Sequence, residues 1–260
     1  MRITGERPVD GVTPDGLVAL HTAGYREVRS RIQGGTVLDV GCGVGFGSSE
    51  LQREDVTVVG IDYDHDAVAE ASRRWGPSGL QVVCMDGGRL AFGARSFDWV
   101  CSSHIIEHFS SPEDHVSELR RVLKPGGTTY IFTPNAPADL ENPFHLHLFE
   151  AVELGALLRR HFNEVWVGGH DATECVKRDF ETRRQAARRL LALDFLDLRH
   201  KMPRSWYIGA YSVATRLLYR LQARHHAGGT TNITPADFFV TERVDSTTLN
   251  LFAVASQPRR

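Results

Sequence analysis

The chain has 260 residues, 42% of them hydrophobic, and a net charge of −2. That length can bury a sizeable core, the near-neutral balance argues against a general nucleic-acid coat, and no apolar run approaches the roughly 18 residues a membrane helix needs. The four cysteines (Cys42, Cys84, Cys101 and Cys175) sit at no metal-ligand spacing and do not make a disulfide framework, and the N-terminus has no apolar stretch, so a reducing cytoplasm is the expected location.

Leu17, Leu20, Tyr25 and Val28 recur at helical spacing before Gly34-Gly35, which predicts a helix over about 15–32. Thr36 to Val40 reads as a short strand entering a glycine-rich turn, and Phe46 to Leu51 as the start of a helix. Val56 to Ile61 is a β-branched run that ends at Asp62; Ala67 to Trp75 is helical; Gln81 to Met85 is strand-like and ends at Asp86. Phe97 to Cys101 predicts a fourth strand, and a helix after Pro112 stops at Lys124-Pro125-Gly126-Gly127. Thr128 to Thr133 is a strand closed by Pro134; a helix over 149–162, a strand over 164–167 and a last strand over 248–255 follow. Strands alternating with helices imply an α/β fold, a Rossmann-like, mostly parallel sheet covered on both faces. Such sheets bind ligands at the carboxyl ends of their strands.

Residues 171–237 break this alternation. Two amphipathic helices are expected there, over about 181–198 and 205–224. Positions 177–226 hold 12 Lys/Arg and 4 Asp/Glu, a local charge of +8 that leaves −10 on the rest of the chain. The chain therefore divides into a covering helix (1–35), a ligand-binding core (36–170), a basic helical insertion (171–237) and a final strand with its tail (238–260), all in one domain.

The strongest motif is Val37-Leu38-Asp39-Val40-Gly41-Cys42-Gly43-Val44-Gly45. Its glycines let the chain turn tightly and let a ligand approach the backbone. A dinucleotide loop needs G-x-G-x-x-G. Here the last position is Phe46 counted from Gly41, or Ser48 counted from Gly43, so that reading fails on spacing. Asp39 precedes the first glycine by two. Its carboxylate would repel a pyrophosphate but could hold the ammonium of an amino-acid ligand. Asp62 stands where a carboxylate can accept from both ribose hydroxyls, and Asp86, beside the Gly87 backbone, can accept from an exocyclic adenine amine. An isolated aspartate at a strand end reads as a turn or cap; three in succession behind a glycine loop read as a ligand site.

These residues resemble the class I S-adenosylmethionine-dependent methyltransferases, over about residues 1–170 plus the last strand. The resemblance implies a seven-stranded sheet with an antiparallel hairpin at one edge and S-adenosyl-L-methionine as cofactor. It places Asp39 and Gly41 near the methionine part, Asp62 on the ribose and Asp86 on the adenine. The implied cofactor-binding set is Tyr25, Asp39, Gly41, Cys42, Gly43, Asp62, Tyr63, Asp86, Gly87 and Ser102. Weaker fragments resemble a small-molecule, glycan-associated branch of the type 11/23 kind. They are Thr4-Gly5-Glu6-Arg7-Pro8, Ser102 to His108 with its Glu107-His108, and Asn142-Pro143-Phe144-His145-Leu146-His147. His104 stands where that branch often has glutamate, and Leu148 replaces another. His21 and Tyr25 share one face of the first helix, which in the family covers the cofactor.

Methyl transfer from a sulfonium is an in-line displacement, so placing the acceptor supplies much of the catalysis. An alcohol acceptor must also lose a proton, which suits histidine. The candidate bases are His104, His108, His145 and His147; His145 or His147 is preferred because both follow the fifth strand at the ligand-binding edge, and His108 reads as structural. His145 and His147, two apart, are weak evidence for a metal pair and are not read as one. The expected function is O-methylation of a small molecule, a sugar or glycoside hydroxyl before others. The alternatives are C- or N-methylation of an aromatic or quinone-like metabolite, and a non-catalytic cofactor-binding subunit. In the insertion, Arg216, Arg220 and Arg224 share a helical face. That face reads as a solvated surface, as a lid meeting an anionic acceptor, or as a contact with an anionic membrane surface. RNA is disfavoured for want of a recognisable module.

Overall fold

A computed structural model describes residues 13–139, 144–191 and 233–259. The elements run α1 (Asp15–Arg31), β1 (Gly35–Val40), α2 (Phe46–Leu51), β2 (Val56–Asp62), α3 (His65–Trp75), β3 (Gln81–Cys84), β4 (Phe97–Ser103), α4 (Pro112–Val122), β5 (Leu123–Pro134), α5 (Ala151–Arg159), β6 (Phe162–Ala172), α6 (Glu174–Leu191), β7 (Phe238–Thr241) and β8 (Asn250–Pro258). The strands form one sheet in the order β3-β2-β1-β4-β5-β8-β6-β7. β1 to β5 are parallel, and β8 runs antiparallel between β5 and β6.

The sheet therefore has eight strands among the described residues, not the seven expected. The extra one is β7, which adds to the outer edge of β6 from Gly169↔Thr241 to Ala172↔Phe238. Phe238 to Thr241 is too short for its period-2 pattern to show, and it gains its partner only because β6 extends five residues past the predicted 164–167. The predicted basic insertion is described only at its ends. α6 starts well before residue 181, while the 205–224 helix with Arg216, Arg220 and Arg224 lies outside the described residues, as does the fragment at 4–8.

Side-chain alternation divides the sheet into two buried faces. Leu38, Val40, Val100, Ile131, Leu251 and Ala253 pack against α4 and α5. Val37, Val58, Cys101, Tyr130, Phe132 and Phe252 pack against α1 and α2. Both covers are needed because strands buried on two sides must exclude water from both. A third cluster joins α1 to α6 and β7 through Ala19, Leu20, Val176, Phe238 and Leu249. Lys124 to Gly127 do not pair: Phe97 faces Leu123 and Trp99 faces Thr128, so the four residues bulge out of β5. Among the described residues no helix is long and apolar enough to cross a membrane.

From β1 the chain crosses outward to β2 and β3, then returns past β1 to β4. Crossovers thus leave β1 in opposite directions, and a crevice opens at its carboxyl end. The glycine loop and Asp62 lie at that crevice.

Candidate active site

The turn after β1 holds Gly41, Gly43 and Gly45 at φ values of 81°, 53° and 76°. A side chain is strained in this left-handed region, which is the reason for alternate glycines. At Gly41 an added Cβ would also lie 2.7 Å from Ile105 Cδ1. The backbone N–H of Gly43 donates to Asp62 Oδ2 at 2.9 Å, and Asp62 Oδ1 accepts from the N–H of Asp64 at 2.9 Å. Asp62, 5% exposed, thus fixes the loop against the end of β2.

A cleft of about 680 Å³ opens over this loop. Its lining includes Gly41, Cys42, Gly43, Asp62, Tyr63, Asp86 and Gly87, together with His21, Tyr25, His104, His108, Phe144 and Leu146. The structure therefore brings together eight of the ten residues read as cofactor-binding. Asp39 and Ser102 lie beneath the cleft, both fully buried. Asp39 accepts from Ser48 Oγ at 2.6 Å and from the Tyr25 hydroxyl at 3.2 and 3.3 Å. Burial raises its pKa to about 6, partly opposed by those two donors. Asp39 is thus an anchor for α1, whose Tyr25 sits against the cleft wall. Gly47 makes that packing feasible, since a Cβ there would fall 2.0 Å from Tyr25 Cε2.

One further placement was not legible beforehand. His115, on the inner face of α4, bridges Ser102 Oγ (2.9 Å from Nε2) and the Gly87 carbonyl (2.9 Å from Nδ1). A carbonyl only accepts, so Nδ1 carries the proton and the Ser102 hydroxyl donates to Nε2. Burial depresses the His115 pKa to about 4, which keeps the ring neutral in this role. Phe109 stacks on it at 4.3 Å. The pair ties the Asp86-Gly87 turn to β4. A histidine amid Val116, Leu119 and Val122 was the available signal.

His104 follows β4 directly, at φ 54°. Its ring meets His21 edge-on at 4.5 Å and lies 3.5 Å (Nε2) from Asn250 Nδ2. Burial is the main reason its pKa falls well below the ordinary value. His145 and His147 do not line this cleft. His145 Nδ1 lies 2.9 Å from Asp139 Oδ2, and His147 Nε2 lies 3.3 Å from the Ser110 carbonyl. Both residues are drawn toward the turn after β4, because the N–H groups of Leu146 and His147 donate to the Glu107 carbonyl.

Residues 38–131 match the family model described as a methyltransferase domain. Over these residues the chain is similar to class I S-adenosylmethionine-dependent methyltransferase domains. It is similar to an S-adenosylmethionine-dependent methyltransferase of Mycolicibacterium smegmatis, 33% identical over 60% of this chain and 63% of that protein. The chain thus spans under two thirds of the length of the curated relatives it first matches. Two solved structures share the fold. One is a Thermotoga maritima SAM-dependent methyltransferase (TM-score 0.59, 15% identity, 93% of this chain and 92% of that one). The other is the Haemonchus contortus phospholethanolamine N-methyltransferase 2 in complex with phosphomonomethylethanolamine and S-adenosylhomocysteine (0.58, 17%, 90% and 52%). The cleft fits the family's cofactor. Glycine at 41 keeps the floor clear of side-chain atoms, buried Asp62 stands at the β2 end, and Asp86 lines the wall beyond β3.

Proposed function

We propose that the protein transfers the methyl group of S-adenosylmethionine to a hydroxyl of a small molecule, a sugar or glycoside before other classes. The observation that carries this reading is one cleft lined by two chemically different sets of groups: glycine backbone with aspartates, and imidazoles. Asp62 would hold the ribose hydroxyls, Asp86 the adenine amine, and the Gly41 to Gly43 backbone the amino-acid part. When bound, the cofactor supplies a methyl group on a sulfonium, an excellent leaving group.

The chain's own task is then to orient the acceptor and receive its proton. His104 is the base in this proposal, because it lines the cleft whereas His145 and His147 do not, and His108 reads as structural. The methyl group would be supplied by the bound cofactor, and the His104 imidazole would receive the hydroxyl proton of the acceptor. Arginines of the basic insertion, at 216, 220 and 224, are proposed to meet an anionic or glycosylated acceptor.

A screen with methyl-labelled cofactor against hydroxylated glycosides, phenols, amines and RNA tests the reading. Label on a glycoside oxygen is expected. His104→Asn, which tolerates the left-handed backbone, is expected to lower kcat by about 10²–10⁴-fold without changing affinity for S-adenosylhomocysteine. Transfer only to nitrogen, carbon or RNA would overturn it.

A further inference from the structure

We propose that Glu107, His108 and His145 form a binding site for one divalent transition-metal ion beside the cleft, which His108 alone of the three lines. One ligand atom from each, a carboxylate oxygen and two imidazole nitrogens, lies within 4.8 Å of the others. The three come from two stretches of chain, the turn after β4 and the segment after β5. The Leu146 and His147 N–H groups, donated to the Glu107 carbonyl, hold those stretches together.

Each ligand is oriented from behind. Glu107 is 1% exposed; its Oε2 accepts from Thr133 Oγ1 at 3.0 Å. Its Oε1 has no hydrogen-bond partner among the described residues, the nearest imidazole nitrogen recorded being His104 Nδ1 at 3.7 Å. A buried carboxylate oxygen without a donor is costly unless something else meets it. His108 Nδ1 lies 3.0 Å from the Phe144 carbonyl. That acceptor requires the proton on Nδ1, so the neutral ring carries its lone pair on Nε2. The same holds for His145, whose Nδ1 lies 2.9 Å from Asp139 Oδ2. A carboxylate or carbonyl behind each ligating imidazole is the usual arrangement of metal-bound histidine.

Two imidazoles and one carboxylate suit Zn²⁺, Mn²⁺, Fe²⁺ or Co²⁺ better than Ca²⁺ or Mg²⁺. Three protein ligands leave coordination positions for an exogenous oxygen. Since His108 lines the cleft, that oxygen would come from the acceptor. The role rests on the O-methylation reading: a metal-bound hydroxyl loses its proton more readily, and an acceptor with two neighbouring oxygens could chelate. The site itself does not depend on that reading.

The test uses the full chain, stripped with a chelator and titrated with Co²⁺ under visible absorption and with Zn²⁺ in a calorimeter. One equivalent per chain is expected, with the d–d bands of a nitrogen- and oxygen-ligated ion. Glu107→Gln and His108→Ala should each remove that equivalent. Asp139→Asn, which touches no metal, should weaken it about 10–100-fold. S-adenosylhomocysteine binding retained by all three variants shows that they fold. No stoichiometric uptake by the wild type, or uptake undiminished in His108→Ala, overturns the site. Metal uptake without transfer to any hydroxylated acceptor would support the site and overturn the O-methylation reading.

Discussion

Gly47→Ala should damage the cleft that Gly47 lines by displacing the Tyr25 ring. A Cβ at position 47 would sit 2.0 and 2.1 Å from Tyr25 Cε2 and Cζ, whereas ordinary contact begins at 3.4 Å. The ring would have to withdraw by about 1.4 Å. Its hydroxyl already stands 3.2 and 3.3 Å from the Asp39 oxygens, so withdrawal breaks both contacts. Overpacking of this kind costs about 1–3 kcal/mol, and losing a hydrogen bond to a buried carboxylate about 1.5–3 kcal/mol. A total near 3–6 kcal/mol is a large share of a domain's roughly 5–15 kcal/mol. Urea unfolding of a double-mutant cycle isolates the cause. In the Tyr25→Ala background the clash is gone, and Gly47→Ala should cost under about 1 kcal/mol or stabilise slightly, as alanine does in a helix. An equal cost in both backgrounds would refute the reasoning.

Asp62→Asn should weaken S-adenosylhomocysteine binding about 10–100-fold by calorimetry, since it replaces a charged acceptor that also takes the Gly43 N–H. Gly41→Ala adds left-handed strain of about 1–2 kcal/mol and a 2.7 Å approach to Ile105, so its melting temperature should fall and its cofactor affinity with it. Stability should also fall between pH 7 and pH 5. Burial holds His115 and His170 at pKa values of about 4, while in the unfolded chain they take up protons near pH 6.5. Each therefore contributes stability that is present above pH 6.5 and lost as pH drops, about 2 kcal/mol by pH 5. Asp39, raised to about 6, has the opposite sign: the folded state gains a proton the unfolded chain does not, which offsets about 1 kcal/mol at pH 5. A net loss of about 2–3 kcal/mol is expected in urea midpoints measured at both pH values; a gain on acidification would contradict it.

Much of this fold was legible because its signals are local. The β1 glycines, the β-branched β2 ending at Asp62 and the proline-led α4 each announce themselves within a few residues. The eighth strand did not, because four residues carry no period of their own and β7 exists only by pairing with an extended β6. At the site, spacing found the residues that border the cleft but could not separate lining from support. Asp39 and Ser102 belong to strands that point them inward, toward Tyr25, Ser48 and His115. Of the two carboxylates beside His145, Asp139 is six positions away, but Glu107 lies 38 positions away in sequence and reaches it through two backbone hydrogen bonds.

The account rests on a glycine-lined cleft shaped for a sulfonium nucleoside, and parallel calorimetric titrations with S-adenosylhomocysteine and with NAD test it most directly. Stoichiometric binding of S-adenosylhomocysteine, weakened by Asp62→Asn, with no heat from NAD, is the predicted result. Tight uptake of NAD with none of S-adenosylhomocysteine would contradict it.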